Sequence, residues 1–173
     1  MFDTIFGLPV HPLVVHGVVV LLPLSALGVI AISLVPSWRR RYGVLVVLLA
    51  AAATAAVPVA TRSGRELAQR VGTPERHAEL GSMVIWYAVP MLLLAGALVW
   101  LDRRQAPPAR GYAASGSARN ASTAVRSSTQ SRLVLVVAGL AIVAAVGAAW
   151  LTVLTGHAGS KAVWEPIVQS TED

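Results

Sequence analysis

The sequence predicts an all-α integral membrane four-helix bundle, N-out/C-out, with a disordered basic cytoplasmic loop. Three observations predict it. The 173-residue chain is 55% hydrophobic and only 13% charged, where a soluble domain would be about a quarter charged. Its apolar residues gather in four blocks, at about 13–35, 44–60, 80–101 and 133–154, each close to the roughly 20 residues that cross a hydrocarbon core as helix. The charges are also partitioned. The segments after the first and third blocks carry nine basic residues (Arg39, Arg40, Arg41, Arg103, Arg104, Arg110, Arg119, Arg126, Arg132) against Asp102 alone. The remaining segments carry five basic and seven acidic residues. The positive-inside rule then puts both Arg-rich loops in the cytoplasm and both termini outside. A basic face beside anionic lipid accounts for the net charge of +6 without a nucleic-acid partner. Residue-by-residue alternation over segments of about ten residues, the mark of membrane strands, is absent. The whole chain, 1–173, reads as a single membrane domain.

The N-terminal MFDTIFGLPV has Asp3 where a signal peptide would have a basic region, so helix one reads as a retained span. His11 stands at the position of a helix cap, with Pro12 as the first helical residue. Pro23 is placed to kink helix one in mid-membrane. Pro36 to Tyr42 reads as a tight cytoplasmic turn with Trp38 and Tyr42 at the interface. In helix two, Ala52, Ala56 and Ala60 form a small-residue stripe suited to close helix contact, within the chain or between copies. Ser63-Gly64 reads as a turn, followed by a short interfacial helix RELAQR. Thr73-Pro74-Glu75 reads as cap and first turn of helix three, which places His77 and Glu79 at its outer boundary. Residues 103–132 are rich in Ser, Ala, Arg, Gly and Pro and read as a flexible loop. Helix four repeats the small-residue theme with Ala141, Ala145 and Ala149, and ends at Thr155-Gly156-His157-Ala158-Gly159-Ser160. The tail with Trp164 and Pro166 is expected along the outer surface.

Function is to be sought in four histidines, all on the outer side: His11, His16, His77 and His157. Each can be an interfacial imidazole bonded to a neighbour. His16 lies five residues beyond His11, roughly 7 Å deeper at about 1.5 Å per residue, and is expected to face the bundle interior with a partner. The two rings point about 140° apart on a regular helix and cannot share one ion. His16 is therefore expected to pair with His77 or His157 while His11 does something else. Three chemistries fit. One is a b-type haem held by two imidazoles, with Arg62, Arg65 and Arg76 near its propionates and Gly17, Gly81 or Gly159 letting the macrocycle approach the backbone. The second is a zinc or copper site on His16, His77 and His157, with Glu66 or Glu79 as a further ligand. The third is a proton relay of histidines and glutamates. A cofactor-free polar network, as in an accessory or scaffold protein of an envelope complex, competes with all three.

The absence of cysteine excludes disulfides, thiolate metal sites and iron–sulfur ligation. Ser63 within TRSGRE resembles no nucleophile elbow. A charge run at a helix start explains Glu75, His77 and Glu79 as well as metal-assisted hydrolysis does. The chain does not read as an enzyme by itself.

Four short motifs carry a resemblance over nearly the whole chain except the cytoplasmic loop and tail. The HPLVVH run opening helix one, the SGRE turn, the HAELG start of helix three and the GHAGS turn after helix four resemble a bacterial membrane family, domain of unknown function 2231. The resemblance implies a four-helix protein of the bacterial cytoplasmic membrane. Some members are fused to Rieske-type iron–sulfur domains, which implies a respiratory or redox partner and favours the haem reading. The matching positions are His11, Pro12, His16, Gly64, His77, His157 and Gly159. The chain departs from the pattern at Gly17-Val18, where Phe-Pro is common, and at Arg65-Glu66, near which members carry an acidic residue.

Overall fold

The computed structural model describes residues 4–5, 8–71, 75–104 and 120–172. Its elements are a two-residue antiparallel pairing of β1 (Thr4–Ile5) with β2 (Leu8–Pro9), then α1 (Val10–Leu34), α2 (Pro36–Val71), α3 (Glu75–Met83), α4 (Ile85–Arg104) and α5 (Asn120–Glu172). Four stretches are long and apolar enough to cross a membrane: His11–Leu34, Pro36–Gln69, Glu75–Arg104 and Ser131–Thr171. The third runs through both α3 and α4. They form a ring in which α1 and α4 each pack against α2 and α5, while the α1–α4 diagonal is weaker.

The helices run past the limits that hydropathy sets. Pro36 to Tyr42 is the first two turns of α2 and not a loop, so Val35 alone separates α1 from α2. Pro36 suits that place because its missing N–H is an orphan there anyway. Ser63-Gly64 lies inside α2, which continues through RELAQR to Val71. Residues 105–119 of the expected flexible loop lie outside the described residues, while Asn120 to Arg132 are already helical. The Gly156-to-Ser160 segment does not end α5, and the tail extends the same helix to Glu172. The third span is helical from Glu75, the expected cap residues Thr73 and Pro74 lying outside the described residues, and it breaks at Val84. There Tyr87 N and Ala88 N both donate to Val84 O, at 3.2 and 3.0 Å. The break lets α3 lean onto α5.

The core combines large side chains of α1 and α4, such as Leu22, Ile32, Met91 and Leu98, with many small ones. Ala50, Ala53, Ala88, Ala95, Ala145 and Ala148 are fully buried, and large residues such as Leu27, Leu48, Leu93 and Leu135 face outward. That is the distribution expected when lipid takes the outer face and close backbone approach holds the helices together. Of the expected Ala141, Ala145 and Ala149 stripe of α5, the first two are buried and Ala149 is partly exposed. On α2 the buried face is instead Ala50, Ala53 and Val57, with Ala52 exposed.

One ion pair closes the end of the bundle opposite the histidines. Arg39, 4% exposed, donates from Nε to Ile32 O (3.0 Å) and from Nη2 to Ser33 O (3.5 Å), capping the last carbonyls of α1. Its Nη1 lies 3.8 Å from Asp102 Oδ1 on α4. The exposed Arg40 adds a second contact to Asp102 at 3.4 Å. Removing one partner of a buried pair leaves an uncompensated charge. Asp102→Ala should cost about 3–5 kcal/mol in unfolding measured in detergent, and Arg39→Met should cost no less, because it also leaves the Ile32 and Ser33 carbonyls without their side-chain donor.

Candidate functional site: two imidazoles facing across a cleft

His11 is the second residue of α1, and its ring lies against α2. Its Nδ1 is 3.0 Å from Ala60 O and 3.2 Å from Ser63 Oγ. A carbonyl only accepts, so Nδ1 carries the hydrogen and, in the neutral ring, Nε2 carries the lone pair. Ser63 Oγ in turn donates to the same Ala60 O at 3.1 Å. His77, the third residue of α3, repeats the arrangement on α5. Its Nδ1 donates to Thr155 O at 2.9 Å, which again leaves the Nε2 lone pair available. A glycine makes room for each ring. A methyl built on Gly64 would stand 2.8 Å from His11 Cε1, and one on Gly159 would stand 2.9 Å from His77 Nδ1.

The two ring centres are 6.3 Å apart with planes at 85°. They flank a cleft of about 1070 Å³, walled on one side by α1 and α2 and on the other by α3 and α5. Its lining is mainly small or aliphatic, including Val18, Val57, Ala60, Gly81 and Gly156. The polar groups reaching it are the two histidines, Arg65, Gln69 and the hydroxyls of Thr61, Ser82, Thr152 and Thr155. Both rings sit on backbone carbonyls that fix the tautomer and orient the second nitrogen, the arrangement that metal-ligating histidines commonly have.

The structure pairs different histidines from those expected. His16 is exposed on the outer face of α1, its Nδ1 donating to Pro12 O at 2.6 Å, and it does not turn toward the interior. His157 is also exposed. The physical reason lies in the helix ends. Because α2 and α5 run on past their predicted limits, the packed interior reaches the level of His11, and His11 takes the inward face. The 140° between the two positions then turns His16 outward. Of the three arginines, Arg65 lines the cleft, Arg62 is exposed and does not, and Arg76 pairs with Glu79 at 3.4 Å. Gly81 and Gly159 line the cleft, whereas Gly17 has nothing near it. Among the described residues no three His, Cys, Asp or Glu side chains gather as a metal-binding group, so His16, His77 and His157 are not brought together. Sequence reasoning missed Ser63, Thr155 and the Ala60 carbonyl as supports. The spacing of carbonyl and glycine, four residues apart in both Ala60/Gly64 and Thr155/Gly159, was the available signal.

Exposed and half-buried imidazoles should behave differently on removal. His16→Ala and His157→Ala should leave stability within about 0.5 kcal/mol, whereas His77→Ala should cost about 1–2 kcal/mol through its lost packing and hydrogen bond. Thermal unfolding of the three variants in one detergent checks this ordering.

Comparison with known proteins agrees with the architecture. No curated protein and no solved structure matches the chain. A family model described as predicted membrane protein (DUF2231) matches residues 7–172. A four-helix chain covered over nearly its whole length by that model is a member of it: the protein belongs to the DUF2231 family of predicted membrane proteins.

Proposed function

We propose that the cleft holds a b-type haem, with His11 and His77 as its axial ligands, and that the protein is a small redox subunit. The carrying observation is the 6.3 Å between the two ring centres. A metal–nitrogen bond of about 2 Å, with roughly 1 Å more to the ring centre, sets two imidazoles about 6 Å apart on opposite sides of one ion. Two ligands of a tetrahedral ion would approach to about 5 Å. A haem also asks only two ligands of the protein, in keeping with the two-histidine set.

Other features support the reading. The cleft volume lies just above the range of about 300–1,000 Å³ for small-molecule sites, as suits a large cofactor. Its small-residue walls suit a flat macrocycle, and Arg65 at the cleft stands ready for a propionate. When bound, the group supplies one-electron chemistry. The chain's own residues hold it from both faces, keep both ligands in one tautomer and surround it with aliphatic side chains. By the positive-inside rule the histidine end faces outward, so electrons would be exchanged with a redox partner at the outer face of the cytoplasmic membrane.

The test is the absorption spectrum of the detergent-purified full chain, oxidised and then dithionite-reduced, from cells supplied with a haem precursor. A sharp reduced α band should appear. It should be lost in His11→Ala and in His77→Ala, and retained in His16→Ala and His157→Ala. A featureless spectrum at full haem supply overturns the reading. Elemental analysis of the same sample then separates a zinc or copper site from a cofactor-free scaffold.

A further inference from the structure

The two walls of the cleft are built alike. His11 donates to a carbonyl of α2, at Ala60, and is backed by the glycine four residues on. His77 donates to a carbonyl of α5, at Thr155, and is backed by the glycine four residues on. These site residues define two shifts along the chain with nothing adjusted: 66 residues from His11 to His77, and 95 residues from Gly64 to Gly159.

Burial, which played no part in choosing those shifts, follows both. Shifted by 66, the buried Val18, Leu22, Ser25, Val29, Ile32 and Ser33 fall on Val84, Ala88, Met91, Ala95, Leu98 and Val99, and every one of these is buried. Only Ala26 among the buried residues of α1 meets a partly exposed partner, Leu92. Shifted by 95, Gly43, Val46, Ala50, Ala53 and Val57 fall on Ala138, Ala141, Ala145, Ala148 and Thr152, all buried, while the buried Arg39 and Thr54 fall on the partly exposed Val134 and Ala149. Any two buried helical faces share a phase about one time in four, since a turn has about 3.6 positions. Part of this agreement follows from both rings facing one cleft; what it adds is that the shared phase persists along the length of each helix. The packing agrees. Exchanging α1 with α3–α4 and α2 with α5 maps the α1–α2 contact onto α4–α5 and the α2–α4 contact onto α1–α5, and all four are the principal contacts of the ring.

We infer that the bundle is one helical hairpin used twice in a single chain, and that Gly64 and Gly159 are its paired positioning residues. The two hairpins, α1–α2 and α3 to α5, are parallel repeats related by a two-fold axis along the bundle, of the kind that places ligand sites at a repeat interface. The axis passes between His11 and His77. Each glycine sets how far its imidazole stands from that axis, so the cleft grips its ligand from two sides in the same way, except that Ser63 Oγ supports His11 alone, its counterpart being Ala158. The symmetry stands on geometry alone, while the haem as ligand rests on the function proposed above.

The test uses the full chain in lipid nanodiscs with ¹⁵N-labelled histidine and the variants Gly64→Ala and Gly159→Ala. In the unsubstituted protein the His11 and His77 rings should show the same Nδ1–H tautomer. Gly64→Ala should move the His11 ring signals and leave those of His77, and Gly159→Ala should do the reverse. Titrated with haem, each variant should bind about 10–100-fold more weakly, and to a similar degree, as loss of ligand support usually does. Gly17→Ala and Gly96→Ala, where nothing lies near the added methyl, should change neither readout. Ring signals unmoved by both substitutions, or moved by only one, overturn the paired role. If the unsubstituted chain takes up no haem while the ring signals behave as expected, the repeat stands and the haem reading falls.

Discussion

Two hydrogen bonds, from His11 to the Ala60 carbonyl and from His77 to that of Thr155, are the constraint on which the site depends. Every helical carbonyl inside a bundle is already engaged by the N–H four residues later, and its remaining lone pair is normally covered by neighbouring side chains. A glycine at that later position uncovers it. Gly64 and Gly159 therefore do two things at once: they expose an acceptor, and they leave the space in which the imidazole reaches it. Without such an acceptor the ring N–H would be a polar group buried unpaired in apolar surroundings, which is costly. The same bond fixes Nδ1 as the donor and frees Nε2. Packing, tautomer and ligating capacity follow from one backbone geometry.

The four spans were legible because hydropathy and length are coarse properties that no local contact overrides. The helix ends were not. Ser63-Gly64 has the composition of a turn, yet the chain stays helical through Arg65, Glu66, Leu67, Ala68 and Gln69, all favourable helix formers. Gly64 is present for a contact made 53 residues away in the sequence, which local propensity does not register. The glycines at 156 and 159 misled in the same way. The same extension explains why His11, and not His16, lies at the cleft. Depth along α1 favoured His16, but whether a ring faces inward depends on what packs at its level, and that depended on how far α2 and α5 extend. His77 was legible because helix three is already formed at Glu75. Its partner was legible only as one of the other three.

The paired design is strongest at the histidine end and in the core, and it lapses elsewhere. In the second hairpin the helix corresponding to α1 is broken at Val84, while its counterpart Val18 lies in unbroken helix. At the opposite end Arg39 caps α1 and reaches Asp102, whereas the position equivalent to Arg39 in the second hairpin is Val134 and the one equivalent to Asp102 in the first is Pro36. The tight α1–α2 connection, with only Val35 between helices, leaves carbonyls at a buried corner that need a cation. The second hairpin is joined by a longer segment, residues 105–119, which lies outside the described residues. Symmetry is thus kept where two walls face one space and absent where a single turn has its own needs.

That distribution bears on what the site can do. Two imidazoles gripping one ion from opposite sides would fill its axial positions and leave none open for a substrate, which favours electron transfer over bond-making chemistry. Both sit at one end of helices long enough to cross the roughly 30 Å core. A single centre placed there would exchange electrons along its own face of the membrane and would not by itself carry them through. Arg65, the cation at the cleft, has no symmetric equivalent: the corresponding position in the second hairpin is Ser160. A ligand held symmetrically through its metal would then be oriented asymmetrically through its charge, with its anionic edge drawn to the α2 side. The repeat accounts for how a planar group would be gripped, and Arg65, whose counterpart is Ser160, for which way round it would lie.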